Sequence, residues 1–136
     1  MKKILTIFLV FIIGYGCVPS SHLIVGKLRT PINPSEVIVL LDFPEKYEKI
    51  ALIETTSQPA ISKNFNFSFA FTEQQKLDLV ITRLIDEAAK LGANGIVINK
   101  TENQTDYSVS INYKKGKTRL SQEKYKIGVA TAIYIL

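Results

Sequence analysis

The segment from Thr72 to Gly92 constrains the fold of this 136-residue chain more than any other. Its first residues, TEQQ, form a capping box in which the Thr72 hydroxyl and the Gln75 side chain each satisfy the other's backbone N–H. Apolar residues recur at helical spacing along one side, and Gly92 stands where a left-handed helix end is favoured. That side consists of Leu77, Val80, Ile81, Leu84, Ala88 and Leu91. We therefore predict one amphipathic helix packed on another element.

Strand-like segments surround this helix. Glu36–Asp42 (EVIVLLD) is continuously β-favouring, which predicts a strand buried on both faces. Strand, helix and strand in sequence predict a β-α-β crossover in which Tyr47–Thr55 and Gly95–Lys100 run parallel. Tyr107–Tyr113 and Tyr125–Leu136 predict a hairpin, with the last strand at an exposed edge. The expected fold class is α+β: a small, mostly antiparallel sheet with one principal helix on one face and a β-α-β crossover.

The bend of the predicted hairpin is strongly basic. Its cationic residues include Lys114, Lys115, Lys117 and Arg119. One interpretation is a surface that attracts the phosphates of lipopolysaccharide or of anionic lipid. The other is a solubilising tip whose charges only face water. Nucleic acid is not an expected partner, because the N-terminal signal predicts that the protein lies in the periplasm.

Four phenylalanines alternate before the helix, in the sequence NFNFSFAF. Phe65, Phe67, Phe69 and Phe71 share one side of an extended segment, because side chains alternate along a strand. Large apolar residues are usually buried, which favours a wall of the core. Alternatively, part of the stripe forms a partner or ligand surface, since four exposed rings would make a patch typical of an interface.

The N-terminus resembles a bacterial lipoprotein signal. Two lysines precede Ile4–Ile13, a ten-residue stretch that is apolar except for Thr6 and is too short to span a bilayer. Gly16 then precedes Cys17, although Gly14 stands where a lipobox usually has Leu. We expect residues 1–16 to be removed and Cys17 to be acylated, palmitate included. The alternative is an ordinary secretory signal that is cleaved elsewhere. Residues 17–22 would then be a lipidated tether and residues 23–136 one α+β domain.

The remaining inventory argues against enzymatic chemistry. Cys17 is the only cysteine and His22 the only histidine. The chain therefore has few of the side chains that a catalytic triad, a zinc site or a histidine general base requires. Neighbouring carboxylates such as Asp86 and Glu87 are interpreted as part of a solvated helix face. We expect no enzyme activity, no metal and no cofactor. A carboxylate-only hydrolase is the remaining enzymatic alternative.

Two stretches carry a family resemblance: TPINPSEVIVLLDFPEKYEKIALIETTS and AFTEQQKLDLVITRLIDEAAKLGANGIVI. They resemble a family of small proteobacterial envelope lipoproteins. The segment EAAKLGANGIVI is also similar to the outer-membrane Rcs stress-sensor lipoprotein and the YbjQ-like family, whose fold packs a helix on a small sheet. The Rcs sensor has disulfides and YbjQ-like proteins are often called heavy-metal binding, but this chain lacks cysteines for either. YbjQ-like proteins form rings, so the resemblance also leaves self-assembly into a homo-oligomer open for this chain.

These features predict a non-enzymatic, lipid-anchored envelope protein that acts through protein contacts. The resemblance implies an envelope stress-sensing or assembly-accessory role at the periplasmic face of the outer membrane, with membrane attachment through the N-terminal lipid. By similarity to enterobacterial lipoproteins, Val18 after the cysteine, rather than Asp, favours the outer membrane. The alternative is a periplasmic module that binds a small ligand or lipid with its Phe65–Phe71 face.

Overall fold

A computed structural model describes residues 20–58, 71–112 and 116–136 of the chain. Five strands and one long helix make up most of this part, together with a short 3-10 helix at Pro34–Glu36. Among the described residues, no helix combines the length and the apolar character needed to cross a membrane. In chain order the elements are β1 (Ser20–Ile24), β2 (Ile38–Leu40), β3 (Tyr47–Thr56), α1 (Glu73–Lys90), β4 (Gly95–Asn112) and β5 (Lys117–Ile135).

The five described strands form one mixed sheet in the order β1-β3-β5-β4-β2. β1 with β3, β3 with β5 and β5 with β4 are antiparallel, whereas β2 with β4 is parallel. The last strand of the chain therefore lies in the middle of the sheet. β5 is buried there on both sides, since Ala130, Thr131, Ala132 and Ile133 are all buried.

The main core lies between α1 and one face of the sheet. Val80, Leu84 and Ala88 of the helix are completely buried, and they belong to the same cluster as Ile53 of β3 and Ala130 of β5. Small residues in β5 let the helix approach closely. At Gly128, an added Cβ would lie only 2.2 Å from Val80 Cγ1. This face of the sheet is called the helix side below, and the opposite one the open side.

Both predicted ends of α1 are confirmed. The Thr72 hydroxyl accepts from the Gln75 N–H at 3.2 Å, and the Gln75 side chain accepts from the Thr72 N–H at 2.9 Å. At the other end Gly92 has a φ of 76°, and its N–H donates to Ala89 O while the Ala93 N–H donates to Ala88 O. These two bonds are the Schellman pattern, which satisfies carbonyls that the helix leaves free.

The fold class predicted from the sequence is wrong. The prediction pairs Tyr47–Thr55 with Gly95–Lys100 in a β-α-β crossover within a mostly antiparallel α+β sheet, but β5 lies between these two strands. The sheet is a five-stranded mixed sheet, and its parallel pair joins β2 to β4. The prediction fails because β5, expected at an edge, has small and apolar residues on both faces and fits the centre.

One local strand prediction also fails. Glu36–Asp42 was expected to form a strand buried on both faces, but β2 has only three residues and Ile38 is 55% exposed at the sheet's edge. In β3 a β-bulge lies between Lys49 and Ala51, so Ile50 and Ala51 are both buried. The bulge explains why this strand does not alternate regularly in sequence.

Candidate functional site: a two-stranded arm beside the N-terminal strand

β4 and β5 continue well past the rest of the sheet. The last residue of β3, Thr56, pairs with Ile127, which also pairs with Glu102 of β4. From Asn103 to Asn112, β4 pairs only with β5 among the described residues. Ten residues of strand span roughly 33 Å at the usual rise per residue. We call this extension, Asn103–Asn112 with Lys117–Lys126, the arm.

The base of the arm is fixed to the domain by Lys126. Its backbone N–H donates to the Ser57 hydroxyl at 2.8 Å, and its carbonyl accepts from the Ser57 N–H at 2.8 Å. Its ammonium lies 3.1 Å from a carboxylate oxygen of Glu73 at the start of α1 and donates to Asn103 Oδ1 at 2.6 Å. Hydrogen bonds from Lys76 and Lys126 lower the pKa of the Glu73 carboxyl. The arm is thus anchored to both β3 and the helix.

The two faces of the arm differ in chemistry. Lys126 and Gly128 face the helix side, so alternation places Leu120 on that side together with its partner Val109. Four apolar side chains share this face and are exposed, which gives the arm an apolar surface that we call the arm stripe. Its members are Tyr107, Val109, Ile111 and Leu120.

The basic residues predicted as a partner surface fall partly on this arm. Lys117 and Arg119 lie near its end, are exposed, and alternate with Leu120 so that they point away from the arm stripe. Lys114 and Lys115 lie outside the described residues. In the described distal part of the arm, residues 107–112 and 117–121, the charged residues are Lys117 and Arg119, and there is no Asp or Glu. The distal part of the arm is therefore cationic.

β1 enters the sheet at the end from which the arm leaves. Ser20, the first residue of β1, pairs with Thr55, one residue before the end of β3. The three residues Ser20 to His22, expected to belong to a tether, are hydrogen-bonded strand. Cys17, the predicted site of lipidation, precedes Ser20 by three residues and lies outside the described residues. The first residue of β1 and the base of the arm therefore lie at the same end of the sheet.

Phe65, Phe67 and Phe69 lie outside the described residues, so the two interpretations of the phenylalanine stripe stay predictions. Phe71, which directly precedes the helix cap, is 41% exposed. The segment that carries the stripe begins beyond Gln58, which donates to Asp106 of the arm at 3.1 Å.

Sequence reasoning missed a polar cluster between β1 and α1. His22 Nδ1 lies 2.7 Å from Glu87 Oε1, while Ser20 and Lys90 each donate to Glu87 Oε2 at 3.3 Å. Burial raises the pKa of the Glu87 carboxyl, but hydrogen bonds from His22 and Lys90 outweigh it and hold the pKa below its ordinary value. The expectation that Glu87 belongs to a solvated face is wrong, because the residue is buried.

This cluster does not have the geometry of a serine-activating relay. In such a relay the histidine contacts the serine and the carboxylate contacts the histidine. Here the Ser20 hydroxyl donates to Glu87 and not to His22. A depression of about 220 Å³ nearby is lined by Ser20, Ser21, Glu54, Thr55 and Thr56. Within the described ranges, no group of three or more His, Cys, Asp or Glu side chains could hold a metal ion.

The open side of the sheet carries a second apolar surface. Pairing aligns one residue from every strand in a single row, because cross-strand partners point to the same side. The inner members, Val97 and Thr131, are buried, whereas Leu23 is 64% exposed at the β1 edge. We call this row, which is Leu23, Leu52, Thr131, Val97 and Leu40, the open-side row.

Comparison with known proteins adds little to these observations. No family model matches the chain, and no curated protein matches it. Among solved structures, the chain is similar to the crystal structure of a Francisella virulence factor, FvfA, in its orthorhombic form. The two are 18% identical with a TM-score of 0.42, over 83% of this chain and 97% of that chain. Similarity at this level indicates neither a family nor a function.

Proposed function

We propose that this chain is a non-enzymatic, lipid-anchored protein of the bacterial cell envelope that acts through protein contacts. Cys17 would carry the lipid, and the domain would lie at the periplasmic face of the outer membrane. The observation that carries the proposal is the apolar run followed by Cys17, only three residues before strand β1 begins. Three residues span at most about 11 Å, so the folded domain would sit directly beside the bilayer.

Two features support contact rather than turnover. The only histidine is engaged with Glu87, and the nearby serine is bonded to the same carboxylate. The described surface instead offers exposed apolar side chains at the β1 end of the open-side row, where Leu23 is 64% and Leu52 40% exposed. Apolar side chains at the centre of a polar surface are typical of protein interfaces. A stress-sensing or assembly-accessory role is the specific form of this proposal.

The test is the chemistry of the N-terminus. We expect mass spectrometry of the protein purified from its native membrane to find a diacylglyceryl thioether on a chain that begins at Cys17. Blocking lipoprotein signal peptidase should make the uncleaved precursor accumulate. A Cys17→Ser variant is the matched control, because it keeps the signal but removes the sulfur. An unacylated native chain would refute the proposal.

Contacts with other proteins need a separate test. In-cell crosslinking of the acylated, tagged protein should capture a specific envelope partner. A Leu52→Asp variant changes the open-side row where the side chain is already partly exposed, so the fold should survive. Loss of the crosslinked species with retained acylation would locate the contact on this face. Identical capture by a chain whose domain has been unfolded would count against a specific contact.

A further inference from the structure

The arm stripe is an exposed apolar surface on a two-stranded hairpin that no third described strand supports. Isolated two-stranded hairpins are marginally stable in water, and exposed strand edges invite pairing. Among the described residues no third strand pairs with the arm beyond Ile127, yet Val109 is 61% and Leu120 66% exposed. An ordered extension of this kind is expected to be covered by something in the cell.

The position of the N-terminus decides what that cover is. β1 starts at the end of the sheet from which the arm projects, and Cys17 is three residues before it. The chain from Cys17 to Ser20 reaches at most about 11 Å, whereas the arm extends roughly 33 Å from the same end. The arm is therefore longer than the tether. If the acylated domain directs its arm towards the bilayer, the arm reaches the bilayer surface.

The charge of the arm fits an anionic lipid surface. Lys117 and Arg119 alternate with Leu120, so cations lie on one side of the distal arm and apolar groups on the other. Long basic side chains can place their charge at the level of lipid phosphates while apolar neighbours enter the acyl region. Each such cation contributes roughly a fivefold gain in affinity for an anionic membrane.

We propose that the arm is a second membrane contact. In the acylated protein the arm stripe lies in the boundary between headgroups and acyl chains, and Lys117 and Arg119 bind lipid phosphates. The contact fixes the orientation of the domain on the membrane, which a lipid on a short tether alone does not. This inference rests on the proposed acylation of Cys17.

The test measures the depth of the arm in the acylated full-length protein. Because Cys17 carries the lipid, a Val109→Cys variant has a single free thiol, which takes an environment-sensitive fluorophore. Leu136→Cys is the matched control, since Leu136 is also exposed but follows β5 at the opposite end of the sheet. Both proteins are reconstituted into vesicles of phosphatidylethanolamine with phosphatidylglycerol, and into vesicles of phosphatidylcholine alone. Spin-labelled lipids serve as quenchers within the bilayer.

We expect the label at position 109 to shift to the blue and to be quenched in the anionic vesicles, and the label at position 136 to do neither. Adding Lys117→Gln and Arg119→Gln should lower the ratio of inserted to free arm by roughly 25-fold, from two cations at about fivefold each. Unchanged unfolding temperatures of the labelled variants in detergent establish that the fold is intact.

Three results would overturn the inference. An acylated, membrane-bound chain whose label at position 109 behaves like that at position 136 removes the arm contact and leaves the proposed anchor intact. Crosslinking between position 109 of two copies, without quenching, assigns the arm stripe to a second copy of the chain instead. An unacylated native N-terminus refutes the proposed function itself and removes the premise of the arm contact with it.

Discussion

The imidazole of His22 and the carboxylate of Glu87 lie 2.7 Å apart, Nδ1 to Oε1, and join the first strand to the helix across 65 residues of sequence. Glu87 is buried, and its carboxylate contacts His22, Lys90 and the Ser20 hydroxyl. Since Glu87 belongs to the helix, this contact attaches β1 to the core of the domain.

We predict that Glu87→Gln lowers the free energy of unfolding by about 1–3 kcal/mol, because hydrogen bonds to a charged group are lost. Urea titrations of the purified domain with circular dichroism would measure the change. Asp86→Asn is the matched control: its position is adjacent on the same helix but exposed, so its effect should be within about 0.5 kcal/mol. Equal effects of the two substitutions would contradict a specific role for Glu87.

A second prediction concerns acid. The folded-state pKa of Glu87 is lowered from its ordinary value of 4.5, so the ionised carboxylate stabilises the fold above that value. Stability from this group should be lost as the pH falls below 4.5 and through the lowered pKa. Denaturation measured across this window should show a steeper loss for the native chain than for Glu87→Gln. Parallel pH profiles would show that Glu87 is not responsible.

The sequence predicts the helix well and the sheet poorly, and the reason is the range of the interactions. The capping box and Gly92 act within a few residues, and both helix ends are confirmed. Strand order depends on contacts between distant segments. β5 ends in a run of apolar residues that fits either an edge or a centre, and only its pairing with both β3 and β4 decides.

The candidate site was predictable to a similar extent. The alternation of Tyr107, Val109 and Ile111 and two residues of the basic bend, Lys117 and Arg119, are readable in the sequence, and they belong to the arm. The contact between His22 and Glu87 was not predicted, because nothing local links two residues so far apart. One signal was available: Glu87 lies between Leu84 and Ala88, next to the buried side of α1.

We predict that Gly128→Ala destabilises the domain by about 1–3 kcal/mol, because the new methyl group overpacks the core. Its Cβ would lie 2.2 Å from Val80 Cγ1 and 3.3 Å from Leu84 Cδ1. Val80→Ala removes the first of these atoms. In a double-mutant cycle measured by thermal unfolding, the pair should cost less than the sum of the single changes. Strict additivity would mean that Gly128 is not in contact with this part of the helix.

The helix cap allows a controlled comparison of two threonines. Thr72→Ala removes the hydroxyl that accepts from Gln75 N–H and should cost about 1 kcal/mol. Thr82 lies in the middle of α1, where its hydroxyl donates to the Asp78 carbonyl at 2.8 Å. Thr82→Ala should be neutral or slightly stabilising, since Ala is the better helix former. Chemical denaturation distinguishes the two variants, and a cost at position 82 as large as that at position 72 would contradict the capping argument.

The last prediction concerns Arg83, which holds the end of β3. Its guanidinium Nη1 donates to the carbonyls of Thr56 and of Gln58, the latter at 2.8 Å, and burial lowers the pKa of Arg83. Among the described residues no carboxylate forms an ion pair with Arg83, so these two backbone carbonyls are its principal partners.

Ser57 lies between those two carbonyls and is the residue that bonds Lys126 at the base of the arm. Arg83→Met keeps most of the volume but removes the guanidinium donor from both carbonyls, which should cost about 1–3 kcal/mol. It should also speed amide exchange at Ser57 and Lys126 more than in the centre of β3, as measured by hydrogen exchange with mass spectrometry. Arg83→Lys keeps a charged donor, so its stability and its amide exchange should lie between those of the native chain and those of Arg83→Met. If Arg83→Met leaves exchange at the arm base unchanged, Arg83 does not support the arm.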